Sequence, residues 1–277
     1  NLQISSIWRR FKEESCFNCH LYKICYNKLM SEIEKNYEDF ISTVSHELRT
    51  PLTSIRGFAQ TMLTSWDKLD DESKKKFLKI IEDQSNRLIN LVENMLSVTR
   101  LSGGKETLIL REVNVKPVIE TVVSILKTQY INKNFEIDVN SRTPEILADK
   151  DKFQQVMTNL IENAAKYGDE DSSIKIETGF CTDCEFVAIR VSNKGIGIKE
   201  EDYERIFTKF SRIDNPLTRK VQGSGLGLYI TKNLVEKMSG KISVTSKALE
   251  NGKFLTTFEV LMPAGDLEKQ ARAKCNL

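Results

Sequence analysis

The sequence predicts an α+β chain in two parts, an antiparallel helical hairpin followed by an α/β sandwich. Three observations carry this. Apolar residues recur three and four apart over two long stretches, the spacing of helices that share a seam. A polar turn separates those stretches. Beyond Ser102-Gly103-Gly104 the pattern changes to short strand-like runs interleaved with shorter helices.

The first stretch runs Met30, Ile33, Tyr37, Phe40, Val44, Leu48, Pro51, Ile55, Phe58 and Met62, interrupted chemically only by its proline. The second runs Phe77, Ile81, Gln84, Leu88, Leu91, Met95 and Val98. Between them lies Asp67-Lys68-Leu69-Asp70-Asp71-Glu72-Ser73, whose acids suit the start of a helix. One hairpin cannot bury a seam of that length. A second copy completes a four-helix bundle, so the expected state is a homodimer. Downstream, residues 108–110, 135–139, 146–148, 174–180, 186–191, 241–246 and 254–261 read as strands. Helices are expected over 118–130, 152–167 and 226–238, and a tight turn over 181–184. The domains follow as 1–35 (a cysteine-containing linker or signalling helix), 36–103 (the hairpin), 104–265 (the sandwich) and 266–277 (a tail).

Composition narrows the class. With 277 residues, 40% apolar and 29% charged, two soluble domains are expected. No stretch approaches the roughly 18 apolar residues of a membrane span. A formal charge of +2 gives no reason to expect nucleic acid or an anionic membrane as partner. The chain lacks an initiator methionine and a signal peptide, so it reads as a piece of a longer protein, with any sensor or membrane anchor upstream. Its six scattered cysteines suit a reducing, cytoplasmic compartment rather than a disulfide framework.

Only two histidines are present, His20 and His46. His46 lies in Phe40-Ile41-Ser42-Thr43-Val44-Ser45-His46-Glu47-Leu48-Arg49-Thr50-Pro51-Leu52. Imidazole becomes a nucleophile once a neighbour takes its proton, and Glu47 is placed to do so. Thr50 lies one turn on, on the same face. Pro51 removes the amide that would bond the Glu47 carbonyl, so a bend is expected just after the histidine. A lone histidine on an amphipathic helix is more often a surface residue, and other boxes must tip the balance.

They are present. Phe153-Gln154-Gln155-Val156-Met157-Thr158-Asn159-Leu160-Ile161-Glu162-Asn163-Ala164-Ala165-Lys166-Tyr167 puts two amides and an ammonium on one helical stripe. An amide oxygen can ligate Mg²⁺, and Lys166 suits phosphate. Asparagine is a poor helix former, so Asn159 and Asn163 on one face need a reason. Val191-Ser192-Asn193-Lys194-Gly195-Ile196-Gly197-Ile198 follows a strand, and Gln222-Gly223-Ser224-Gly225-Leu226-Gly227-Leu228 opens a helix whose free amides favour phosphate. Neither glycine spacing is a P-loop. Between them, Arg205-Ile206-Phe207-Thr208-Lys209-Phe210-Ser211-Arg212 leads into an aperiodic stretch that reads as a lid.

These four boxes, in order from about residue 36 to residue 263, resemble sensor histidine kinases of two-component systems. Their ATP-binding domain belongs with those of gyrase, a heat-shock chaperone and a mismatch-repair ATPase. The resemblance implies an ATP-dependent protein histidine kinase that phosphorylates His46 with Mg·ATP and passes the group to an aspartate of a response regulator's receiver domain. It implies that Glu47 serves as base and that Thr50 holds the water that dephosphorylates the regulator. Asn163 would ligate Mg²⁺, Asn159 and Lys166 would act near the phosphates, and Tyr167 would pack by the nucleotide. Gly195 and Gly197 would shape the adenine end; Gly223, Gly225, Leu226 and Gly227 the phosphate end. Arg212 would reach in from a lid anchored by Phe207 and Phe210. Where the family carries an aspartate that binds the adenine amino group, this chain has Asn193, an uncharged acceptor.

Two rivals remain. A catalytically silent ATP-binding scaffold would keep the same nucleotide boxes. A superfamily ATPase needs a carboxylate base where this chain has Asn159. Separately, Cys16, Cys19 and Cys25 fall in Ser15-Cys16-Phe17-Asn18-Cys19-His20-Leu21-Tyr22-Lys23-Ile24-Cys25. Three thiolates at that density suit zinc or an iron–sulfur cluster, while the alternative is an unligated linker.

Overall fold

The structure is a computed structural model that describes residues 20–103, 107–170, 172–181, 185–211, 213 and 225–265. The chain divides between Leu96 and Ser97 into two compact units.

The first unit is the hairpin. Helix α1 (His20–Ser65) and helix α2 (Asp71–Ser102) are joined by a 3₁₀ turn, Trp66–Lys68. Pro51 lies inside α1 without ending it. Its ring is buried on the seam, and a long amphipathic helix draws its stability from such packing more than from any one backbone bond. Met62 and Leu91 are buried, Val44, Leu48, Ile55, Ile81, Leu88 and Met95 half-buried, and the rings of Phe58 and Phe77 meet at 5.2 Å across the hairpin. The acidic turn does what its composition suggests. Ser73 N donates to Asp70 Oδ1 at 2.9 Å, and the Ser73 hydroxyl and amide hold the Asp70 carboxyl below its usual value. Ile41, Leu52, Leu63, Leu78, Ile89, Val92 and Leu96 remain exposed.

The second unit is built on a five-stranded sheet in the order β2-β4-β5-β7-β6. The strands are β2 (Asn134–Asp138), β4 (Ser173–Cys181), β5 (Phe186–Gly195), β6 (Lys241–Ala248) and β7 (Phe254–Pro263). β2 runs parallel to β4 and the other pairs are antiparallel. A two-stranded sheet pairs β1 (Arg111–Val113) with β3 (Ile146–Ala148). Helices α3 (Val115–Gln129), α4 (Lys150–Tyr167) and α5 (Gly227–Lys237) complete the sandwich. Asp149 caps α4 by accepting from the amides of Asp151 and Lys152, and Asn114 caps α3. The core is the apolar stripe of α4 (Phe153, Val156, Met157, Leu160, Ile161) with Ile174, Ile176, Ile189, Val191 and Val260 of the sheet, all at most 1% exposed.

Two elements differ from the sequence reading. Residues 108–110 are not a strand: Ile109 N donates to Asp149 Oδ2 at 3.0 Å, and the ladder starts at Arg111, where Val113 can pair with Ile146. Strand β5 runs on to Gly195 instead of stopping at 191, because β7 pairs with it through Gly195↔Phe254. A polar Ser192-Asn193-Lys194 run masked those four residues.

Phe153 is fully buried. Truncating it to alanine should cost about 3–5 kcal/mol of stability, and urea unfolding followed by circular dichroism measures the loss.

Candidate functional site

His46 is exposed on α1, and Glu47 beside it is half-buried. Glu47 is not alone. Arg87 of α2 donates from Nη2 to Glu47 Oε2 at 3.4 Å, with side chains 25% and 18% exposed. The Thr50 hydroxyl donates to the His46 carbonyl at 3.3 Å. The sequence motif held no sign of Arg87, since only the hairpin's pairing brings it across.

In the second unit, helix α4 offers Asn159, Asn163, Lys166 and Tyr167, all half-buried. Their circumstances differ. Asn159 Nδ2 donates to the Gly227 carbonyl at 3.4 Å and to Thr231 Oγ1 at 3.3 Å, which ties α4 to the start of α5. Lys166 Nζ pairs with Glu162 Oε1 at 2.9 Å, and Glu162 also accepts from the Tyr130 hydroxyl at 3.4 Å. Burial, then that carboxylate, pushes the Tyr130 phenol above its ordinary value. Asn163 makes no bond with the other described residues, so its oxygen is available to a hard cation.

The end of α4 meets the end of β5. Gly168 and Gly195 form an antiparallel bridge, with Asp169 N donating to the Lys194 carbonyl at 2.8 Å and Ile196 N to the Tyr167 carbonyl at 3.3 Å. Lys133 Nζ binds the carbonyls of Gly168 and Asp169 at 2.7 and 2.9 Å. A Cβ on Gly195 would lie 2.2 Å from the Tyr167 carbonyl, and one on Gly197 would enter the Phe254 ring at 2.3 Å. These two glycines therefore serve packing first. Asn193 is 3% exposed, and its buried Nδ2 has no hydrogen-bond partner. Beyond it, Ile198 N donates to Ser246 Oγ at 3.1 Å, and Ser246 N to the Tyr203 hydroxyl at 2.7 Å, which fixes the first glycine loop to β6. Gly168, Lys133, Tyr203 and Ser246 belong to no motif; only the fold assembles them.

Phe207 is buried, edge-on to Phe258 at 6.4 Å. Phe210 takes φ +58° and Gly225 φ +67°, both left-handed. A Cβ on Gly225 would lie 2.7 Å from the Phe210 carbonyl carbon, so the backbones either side of residues 214–224 lie in contact. Leu226 is buried, and Gly227 begins α5 with only Asn159 near its missing Cβ, at 3.7 Å. Arg212 and Gly223 lie outside the described residues, as do Cys16 and Cys19; Cys25 falls on α1, but its side chain is outside them too. Among the described residues no cluster of His, Cys, Asp or Glu could hold a metal ion. The residues that can be tested fit a magnesium nucleotide: an uncommitted Asn163 amide, a buried unpaired Asn193 amide, and a left-handed glycine ahead of a helix start.

The crowding at Gly195 and the room at Gly227 make opposite predictions. Gly195→Ala should lose about 1–3 kcal/mol because its obstacle is backbone. Gly227→Ala should unfold at the parent temperature. Thermal melts of the two variants check this.

Two family models match in order. The His Kinase A (phospho-acceptor) domain matches residues 37–104, and the histidine kinase-, DNA gyrase B-, and HSP90-like ATPase matches residues 148–266. Signal transduction histidine-protein kinase ArlS of Staphylococcus haemolyticus (strain JCSC1435) is 30% identical over 239 residues, 85% of this chain and 51% of the relative. ArlS of Staphylococcus aureus (strain USA300) is 31% identical over the same shares. The chain thus spans about half the length of the curated relatives it matches. Histidine kinase ThkA, solved in complex with response regulator protein TrrA, aligns with TM-score 0.62 and 27% identity over 89% of this chain and 68% of that one. Full-length ShkA, solved with AMPPNP, aligns with TM-score 0.58 and 26% identity over 82% of this chain and 46% of that one. The Acinetobacter baumannii histidine kinase AdeS shares the fold, with TM-score 0.60 and 22% identity over 80% of this chain and 98% of that one. With a phosphoacceptor domain and an ATPase-type domain matched in sequence order, the chain belongs to the histidine kinase family.

Proposed function

We propose that this chain is the kinase portion of a two-component sensor, which phosphorylates His46 from Mg·ATP and passes the phosphoryl group to an aspartate of a response regulator. One observation carries the reading: a single chain presents an exposed histidine beside a carboxylate on a phosphoacceptor hairpin and also holds an ATPase-type domain. A regulator partner is supported by the ThkA neighbour, which was solved with one. The second copy of the chain would cover the apolar stripe of Ile41, Leu52, Ile89 and Leu96, giving a four-helix bundle. The chemistry belongs in the cytoplasm, where ATP is; among the described residues no helix is long and apolar enough to cross a membrane.

In this mechanism one ring nitrogen of His46 attacks the γ-phosphorus. The N–P bond forms as the bond to the ADP oxygen breaks, and the proton on the other ring nitrogen passes to Glu47. Arg87 holds the carboxylate in place from α2. Asn163 would hold a Mg²⁺ ion, which would supply charge neutralisation at the phosphates. Lys166 and Arg212 serve the phosphates, Tyr167 flanks the nucleotide, and Asn159 sets the start of α5, whose free amides receive phosphate. Thr50 would hold the water that hydrolyses the regulator's acyl phosphate, once its hydroxyl leaves the His46 carbonyl.

Labelled ATP tests the reading. The parent should give an acid-labile, alkali-stable phosphoprotein, and His46→Gln should give none while still binding ATP. Label that persists on His46→Gln removes the assignment; a parent that binds ATP without labelling is the silent scaffold.

Arg87 has its own signature. Arg87→Gln should slow autophosphorylation about tenfold, the size of a charge-assisted contact of 1–2 kcal/mol, with KM for ATP unchanged. In a Glu47→Gln background the same change should do nothing further, and Arg87→Lys should recover part of the rate.

A further inference from the structure

Asn193 sits near the end of β5, 3% exposed, with its buried Nδ2 unpartnered. Buried polar groups in folded proteins are nearly always bonded, so this amide awaits something the surrounding fold does not supply. The fold has little to offer it. Its strand partner Thr256 shares a hydrogen bond with Ser246 Oγ at 3.0 Å, and Gly168, which a Cβ would bring to 3.6 Å from Nδ2, has no side chain. This step rests on the function proposed above, with the purine base placed at Asn193 as the family resemblance implies.

An ionised aspartate at this position can only accept, so it takes the 6-amino group of adenine and repels a 6-oxo group. An amide presents an acceptor and donors in one plane, and a half-turn exchanges them. Among the described residues no partner fixes that half-turn at Asn193. We propose that Asn193 reads the purine 6-position in both senses, so that the site takes 6-oxopurine triphosphates alongside ATP. With adenine, Oδ1 accepts from the amino group. With hypoxanthine or guanine, Nδ2 donates to O6. Sharp discrimination against a close analogue arises when a buried group is left unpaired or meets its like, and the amide avoids both.

Calorimetric titration of the whole chain with ATP, ITP and GTP in Mg²⁺ tests this, for the parent and for Asn193→Asp. ITP differs at the 6-position without the 2-amino group of guanine, so it isolates the contact. The parent should bind ITP within about thirtyfold of ATP, and the ratio should rise about tenfold or more in Asn193→Asp, which should keep ATP. A parent that rejects ITP beyond that limit while binding ATP overturns the proposal and leaves the kinase reading standing. So does a ratio that rises by less in a folded Asn193→Asp. Should that variant fail to fold, the parent's own ITP ratio decides. A parent that binds none of the three nucleotides overturns the kinase reading and this proposal together.

Discussion

The close approach of Gly168 to Gly195 is the constraint on which the nucleotide domain depends. Their bridge closes the C-terminal end of α4 against the end of β5, and the Cβ atoms that any other residues would carry fall on backbone. Because β5 is held along its length by β7, the bridge also fixes where Asn193 lies. Because α4 is held by its buried stripe, it fixes where Asn163 lies. The positions proposed for the base and the metal are thus set by one backbone contact, which Lys133 reinforces by binding both carbonyls beyond the helix. Geometry of this kind costs no reorganisation when substrate arrives, which is where positioning catalysis gains most.

The hairpin works under a different constraint. Its helices are amphipathic and long, and the seam they share is only half-buried within one chain. The Glu47–Arg87 pair crosses that seam with both side chains partly in water, and such pairs add about 0–1 kcal/mol to stability. Its value is orientation. A carboxylate held from the facing helix cannot follow its own rotamer freedom, so the base proposed next to His46 is placed by tertiary structure and not by sequence adjacency alone.

Much of this was legible before the structure. The heptads predicted both long helices because a seam leaves a period-3.6 signature that solvent cannot imitate. Helix α4 was legible by its own apolar stripe, and the buried strands as short apolar runs between turn signals. The misplaced strand at 108–110 and the shortened β5 share one cause: pairing partners distant in sequence, β3 and β7, decide where a ladder begins and ends. At the site, His46, Asn163 and Asn193 were readable as residue types set against their local pattern. Arg87, Lys133, Gly168, Tyr203 and Ser246 were not, since each acts through a contact made by a separate element. Asn159 shows the limit of motif reading most clearly. Its place on the stripe suggested work at the phosphates, and nothing in the motif announced that its amide nitrogen also binds the first turn of α5.

That contact makes mechanical sense of the second glycine cluster. A helix start can serve phosphate only if its amides are free and its position is fixed. Asn159 fixes it from α4 by binding the Gly227 carbonyl and the Thr231 hydroxyl, groups other than the helix-start amides. The left-handed turns at Phe210 and Gly225 lie back to back on either side of residues 214–224, so both ends of that segment share one anchorage. Phe207 ties the anchorage into the core through Phe258. The start of α5 is therefore fixed from two sides, by the Asn159 amide of α4 and by the backbone of Phe210 against Gly225.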